Sequence, residues 1–274
     1  MKILVVSDLH IDLNKTMQFG FIDKLNEVDL VLIAGDIAGH YSKEIAFLQS
    51  LKTETPILVV AGNHLGYDYY QVNEPMNSKD GTVEYSIKTL QELPKPIYYL
   101  HNKYIGVKDY VIYGGTMYTD FNLYDTQEES IYYAKKGLND FYYVKTYDIV
   151  EENIRTVTPQ DYIKWHNEFL NGLNHVLKHT DKNVIVLSHF NPSKKCINKK
   201  YLEGRLMKLN PAYTSNLDEF IIANPKIKYW ISGHTHCGYD FKIGQCRLIC
   251  EPYGYYGYDS TNAPANYFGK IVDV

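Results

Sequence analysis

The chain has 274 residues, 45% of them hydrophobic and 22% charged, with a net charge of -4. These values exclude a disordered or collagenous chain, and the mild acidity argues against a protein built to coat nucleic acid. No apolar run approaches the roughly 20 residues that span a bilayer, and Cys196, Cys237, Cys246 and Cys250 form no Cys-x-x-Cys pair, so we expect a cytoplasmic protein with no membrane segment, leader or disulfide framework.

In chain order, the first strand is expected at 3–6 and ends in Ser7-Asp8-Leu9-His10. A second, at 30–33, ends in Ala34-Gly35-Asp36, and an amphipathic helix follows over 42–52. The third strand, 57–60, runs into Ala61-Gly62-Asn63-His64, and a helix is expected over 82–93. Residues 97–100, 104–107 and 110–113 read as paired strands, with turns marked by Gly106 and Lys108-Asp109. Whether 115–157, with Asp120, Asp125 and Asp140, folds over a site as a lid is left open. Thr158-Pro159-Gln160-Asp161 is a helix start: Thr158 caps, Pro159 suits the first turn and Asp161 complements the positive end. That helix should run to about Leu177. A strand at 184–187 then ends in Ser188-His189, and one at 228–232 ends in Gly233-His234-Thr235-His236.

Continuous apolar runs of this kind are strands buried on both faces, as in sheets covered by helices. Sites in such sheets form outside the carboxyl ends of the strands, where all five polar groups fall. Within Asp8-x-His10 and His234-x-His236, an extended chain would point residues i and i+2 the same way.

Asp8, His10, Asp36, Asn63, His189, His234 and His236 offer carboxylate, amide and imidazole donors, which suit Mn, Fe or Zn. Singly, each has a plain structural reading: a satisfied histidine, a helix cap at Asp8 or Asp36, an Asx turn at Asn63. Together, on five strand ends, they read as ligands. Seven are too many for one metal that must also hold substrate and water. They suffice for two metals sharing a carboxylate, a clamp for in-line displacement at phosphorus. Phosphate-loop, cysteine-phosphatase and Gly-x-Ser-x-Gly motifs are missing from the sequence.

The blocks Asp8-x-His10, Gly35-Asp36, Gly62-Asn63-His64, His189 and Gly233-His234-Thr235-His236 resemble those of the calcineurin-like metallophosphoesterases, in order and spacing along the whole chain. Asn102-Lys103-Tyr104, Gly137-Leu138-Asn139-Asp140-Phe141 and Asp240-Phe241-x-x-Gly244-x-x-Arg247 look like a compact bacterial or phage branch. The resemblance implies an α/β fold, a four-layer α-β-β-α sandwich with two central mixed sheets, over 1–274 as a single domain. It implies two divalent metal ions, manganese first, with iron, zinc or nickel as alternatives. Asp8, His10, Asp36 and His236 would hold one ion; Asp36, Asn63, His189 and His234 would hold the other, with Asp36 bridging. A metal-bound hydroxide would attack phosphorus in line, without a phosphoenzyme. The catalytic residues would be Asp36, His10, which can assist a leaving group, and His64, the general acid. Imidazole, which titrates near neutrality, suits that task. The family usually has an acid directly after this histidine; here it is Leu65, so the orienting role is either vacant or passes to another residue, with Asp68 and Asp12 as candidates. The run Ile37-Ala38-Gly39-His40 also lacks the Asp-Arg-Gly of the protein serine/threonine phosphatases.

The expected activity is phosphoester hydrolysis. A nucleotide or nucleic-acid phosphodiesterase is the alternative, and a non-catalytic scaffold a third reading. His40, Lys194 and Lys195 are candidate substrate contacts. The last two belong to a basic stretch, 194–208, that reads either as a solvated face or as an anion funnel. Tyr253, Tyr255, Tyr256 and Tyr258 read as a packed loop, with stacking on a base as the alternative. His101, His166, His175 and His179 read as surface or locally hydrogen-bonded residues, and Cys237 as incidental. The ligand pattern leaves the oligomeric state and the choice between monoester and diester open.

Overall fold

The computed structural model describes residues 1–14, 19–70, 79, 81–257 and 266–274, with side chains omitted at 68–70 and 205. In chain order the elements are β1 (Lys2–Val6), β2 (Leu30–Ile33), α1 (Tyr41–Ser50), β3 (Ile57–Val60), α2 (Val83–Leu90), β4 (Ile97–Leu100), β5 (Lys103–Val107), β6 (Tyr110–Gly114), α3 (Gln127–Gly137), α4 (Asp140–Tyr143), β7 (Lys145–Asp148), β8 (Asn153–Thr156), α5 (Pro159–His179), β9 (Asn183–Leu187), α6 (Asp218–Ala223), β10 (Ile227–Ser232), β11 (Tyr239–Ile243), β12 (Cys246–Cys250) and β13 (Lys270–Asp273). Short 3-10 turns join several of them.

Two mixed sheets form the centre. One has the order β13-β1-β2-β3-β4, parallel except for β13; the other has the order β11-β12-β10-β9-β6-β5, with antiparallel edges at β11 and β5. Alternation along the strands builds the layers. Ile3, Val5, Leu30, Leu32, Leu58 and Val60 of the first sheet join Ile112, Ile185, Leu187, Ile231 and Ile249 of the second in one buried cluster between the sheets. The alternate residues, such as Val31, Val59, Val184 and Trp230, belong to a cluster that includes Leu48 of α1, Ile87 of α2 and Phe169 and Leu173 of α5. Helices therefore cover the outer faces, as the sequence implied. At about 25 cal/mol per Å2 of apolar area, these two layers are the main favourable term in folding.

Local signals set the helix boundaries. Thr158 and Asp161 form a reciprocal capping box, with Pro159 in the first turn of α5. Arg155 clamps the Asp161 carboxylate through two nitrogens at 2.7 and 2.8 Å. The helix ends at His179, two residues beyond the expectation. Thr82 caps α2, which stops at Leu90 rather than 93.

Three expectations need correction. β4 does not pair with β5; it pairs with β3 in the first sheet, and the chain changes sheets between Leu100 and Lys103. An apolar strand shows its faces but not its neighbour. Gly106 lies within β5, and Lys108, with φ 51°, makes the turn. His166 is buried, because Tyr162, His166 and Phe169 share the inward face of α5.

Residues 115–157 form α3, α4 and the β7–β8 hairpin. Their packing against α2 and the 63–70 turn makes a side wall to the strand ends.

Candidate metal centre

The loops after β1, β2, β3, β9 and β10 meet at one edge of the two sheets. Backbone bonds lace them together: Asp8 N–H donates to Gly35 O at 3.0 Å, His10 N–H to Asp36 O at 3.0 Å, and Gly233 N–H to His189 O at 2.9 Å. The convergence does not come from extended alternation. Asp8, His10, Asp36, His234 and His236 all have positive φ, between 41° and 74°. Each left-handed residue turns the chain sharply, and non-glycine residues adopt that region at a cost. Two glycines make the room: a Cβ on Gly233 would lie 2.6 Å from Asp8 Oδ2, and one on Gly62 would overlap the Asp36 carboxylate.

Asp36 is central. Its Oδ1 accepts from the His64 backbone N–H at 3.0 Å. Its Oδ2 lies 3.3 Å from His189 Nε2, 3.8 Å from His10 Nε2 and 4.0 Å from His64 Nε2. Burial pushes its pKa up, but His189, His64 and His10 outweigh that and hold it well below the usual carboxylate range. Burial would lower His189, yet Asp36 raises it to about 9. Burial raises Asp8 and lowers His10 and His234 well below ordinary values.

On one side of Asp36 lie Asp8, His10 and His236: His10 Nε2 is 3.0 Å from His236 Nε2, which is 3.6 Å from Asp8 Oδ1. On the other lie His189, His234 and Asn63, whose Oδ1 is 3.2 Å from His189 Nε2. All seven side chains expected as ligands are thus brought together. Asp8 Oδ2 and His234 Nε2 are buried without a hydrogen-bond partner. Orphaned donors of this type are costly, and they are what a cation would satisfy. The donors therefore fit the divalent ions implied by the sequence.

His64 stands at the mouth. Its side chain is 19% exposed, against 0% for His10. The ring lies 4.4 Å from the Tyr67 ring, and Nε2 is 3.0 Å from the Tyr255 hydroxyl. Asp12 accepts from Gly39 N–H at 3.1 Å, and the Asp68 side chain lies outside the described residues.

Three residues hold places at the site that the sequence reading did not assign to them. Asp140 accepts from Asn63 Nδ2 at 3.1 Å, from Tyr162 at 2.7 Å and from the Tyr67 hydroxyl. Tyr67 is the second. Tyr255 is the third; its ring also lies 4.5 Å from His10 and 4.6 Å from His236. Asn14 fixes it from both sides, donating to Gly254 O at 2.8 Å and accepting from Tyr256 N–H at 3.0 Å. Of the same tyrosine run, Tyr253 packs in the core as expected, Tyr256 is exposed, and Tyr258 lies outside the described residues.

A cavity of about 450 Å3 opens beside Asp36, lined by His64, Tyr67, Asp140, His234, His236 and Tyr255 and by outer residues from 197–214. Lys194, Lys195 and His40 are not among its described lining residues. His40 caps α1 through Nδ1, Lys195 pairs with Asp218 at 2.8 Å, and the Lys194 ammonium lies 5.0 Å from the Tyr124 ring centre. Cys237 is buried and accepts from Asn198 at 3.6 Å.

The family model for calcineurin-like phosphoesterases matches residues 1–238, and the chain belongs to that family. Membership supports a hydrolase acting on phosphoesters. Protein L509 of Acanthamoeba polyphaga mimivirus is 26% identical over 267 residues, covering 91% of this chain and 90% of the relative. Phosphopantetheinyl hydrolase (PptH) from Mycobacterium tuberculosis has a similar fold, with a TM-score of 0.65, 13% identity, and 96% and 98% of the two chains covered. TT1561 of Thermus thermophilus is similar at a TM-score of 0.51, 11% identity, and 91% and 88% covered. Among the described residues no helix is long and apolar enough to cross a membrane.

Proposed function

We propose that this chain is a phosphoester hydrolase dependent on two divalent cations, with residues 1–274 acting as one unit. The carrying observation is the convergence of seven donors around Asp36, with Asp8 Oδ2 and His234 Nε2 buried and unpartnered. Pairing of β13 with β1 supports the single unit, since it ties the end of the chain to the matched region.

Asp8, His10, Asp36 and His236 would hold one cation; Asp36, Asn63, His189 and His234 would hold the second. Manganese suits these nitrogen and oxygen donors, as do iron, zinc and nickel. Bound there, the cations would make water more acidic and neutralise charge on the phosphoryl oxygens. The chain's own groups supply the rest. His64 lines the cavity and would give a proton from Nε2 to the leaving oxygen as its bond to phosphorus breaks, while a water oxygen bonds to phosphorus and releases its proton to solvent. Tyr67 packs beside that ring and the Tyr255 hydroxyl meets its Nε2 edge at 3.0 Å. His10 packs beneath the Tyr255 ring at 4.5 Å, and its reading as a second aid to the leaving group rests on the family resemblance.

The test is hydrolysis of an aryl phosphate monoester and a bis-aryl diester by metal-stripped protein, reloaded separately with manganese, zinc, iron or nickel. Metal-dependent turnover is expected, and the ratio of the two rates assigns monoester or diester preference. Stoichiometric metal binding without turnover of either ester would overturn the proposal.

A further inference from the structure

The outer wall of the cavity differs in chemistry from its floor. Leu138, Ile197, Leu206 and Leu209 supply apolar surface there, with the rings of Tyr201 and Tyr213. The Tyr213 ring lies 4.9 Å from His234, so the apolar wall begins at a candidate ligand. Leu206 is 53% exposed, open to whatever enters the cavity. The polar part of this wall is uncharged, including Asn198 and Asn210. Among the described lining residues there is no lysine or arginine, while two carboxylates, Asp36 and Asp140, are present. Of the described cations nearby, Lys195 pairs with Asp218, Lys208 with Glu129 at 2.9 Å, and the Lys200 ammonium lies 4.7 Å from the Tyr201 ring centre.

We infer that this wall binds the leaving group of the substrate, and that this group is uncharged and largely apolar. The inference rests on the hydrolase reading of the same site. Such a group buries methylenes against leucine and tyrosine, which raises affinity. A polyanion would place further phosphates against leucine and tyrosine surface with no lysine or arginine among its described lining residues, and such unpaired burial is disfavoured. The described wall therefore favours a small monoanionic or dianionic ester whose leaving group is apolar.

The experiment measures calorimetric binding of n-alkylphosphonates, methyl to hexyl, and of hexane-1,6-bisphosphonate to the full chain with manganese. Affinity should rise about two- to fourfold per methylene, and the bisphosphonate should bind at least about tenfold more weakly than hexylphosphonate. Leu206→Lys, a change at an exposed position, should flatten the chain-length dependence and strengthen the bisphosphonate. A flat dependence, no binding, or tighter binding of the bisphosphonate or of a short oligonucleotide by the unaltered protein would overturn the inference. The two readings fail separately. Turnover of aryl phosphates with a flat chain-length dependence removes this inference alone. A rising dependence without turnover removes the hydrolase and leaves the apolar binding site standing.

Discussion

Asp140 accepts a hydrogen bond from the Asn63 amide nitrogen at 3.1 Å, and this contact turns the Asn63 carbonyl oxygen toward His189. A carboxylate can only accept, so it fixes which end of the amide faces it. The remaining oxygen then points to the metal side, the part that outer partners play at metal sites. Asp140→Ala should therefore weaken manganese binding about 10–100-fold by calorimetry. It should also lower the melting temperature, since Tyr162 and Tyr67 lose a buried acceptor. Unchanged affinity would remove Asp140 from the site.

Asp36 faces both groups of donors. Asp36→Asn should abolish turnover and weaken binding of both cations, read by elemental analysis after dialysis. Full activity in that variant would contradict the bridging role.

His64 and Tyr255 separate by leaving group. His64→Ala should slow alkyl phosphates by about 10²–10⁴-fold and activated aryl phosphates far less. Tyr255→Phe removes the hydroxyl 3.0 Å from Nε2 and should cost about tenfold on the same poor leaving groups. Equal slowing of both substrate classes would argue against proton donation by His64.

Glu44, on α1, is 2% exposed. Burial raises its pKa to about 8, with Tyr99 opposing and the Asp36 and Asp12 carboxylates adding to the rise. Its folded value exceeds the unfolded one, so its contribution to stability is complete below about pH 4.5 and is lost as pH rises toward about 8. The loss is on the order of 4–5 kcal/mol. Denaturant titrations between pH 5 and 8 should show stability falling in the native protein and a flatter profile in Glu44→Gln. Matching slopes would contradict a buried protonated Glu44.

The sequence made legible what local chemistry writes. The strand ends carrying Asp8, Asp36, Asn63, His189 and His234 follow from apolar runs and small residues, and the Thr158 cap from its own four residues. What was hidden depends on distant contacts. Tyr255 is placed by Asn14, more than 200 residues away, and nothing near Tyr255 distinguishes it from the core residue Tyr253. Asp140 gains its meaning only when α4 packs beside the 63–70 turn. The left-handed turns at Asp8 and His10 replace the alternation that their spacing suggested, because convergence on Asp36 requires sharper bends than a strand allows. The basic stretch 194–208 is similar: its composition shows charge, but Asp218 and Glu129 decide where Lys195 and Lys208 point.

Anomalous diffraction from manganese-loaded crystals tests the central claim most directly. The account predicts two peaks flanking the Asp36 carboxylate, one among Asp8, His10 and His236, the other among Asn63, His189 and His234. A single peak, or none in contact with Asp36, would contradict it.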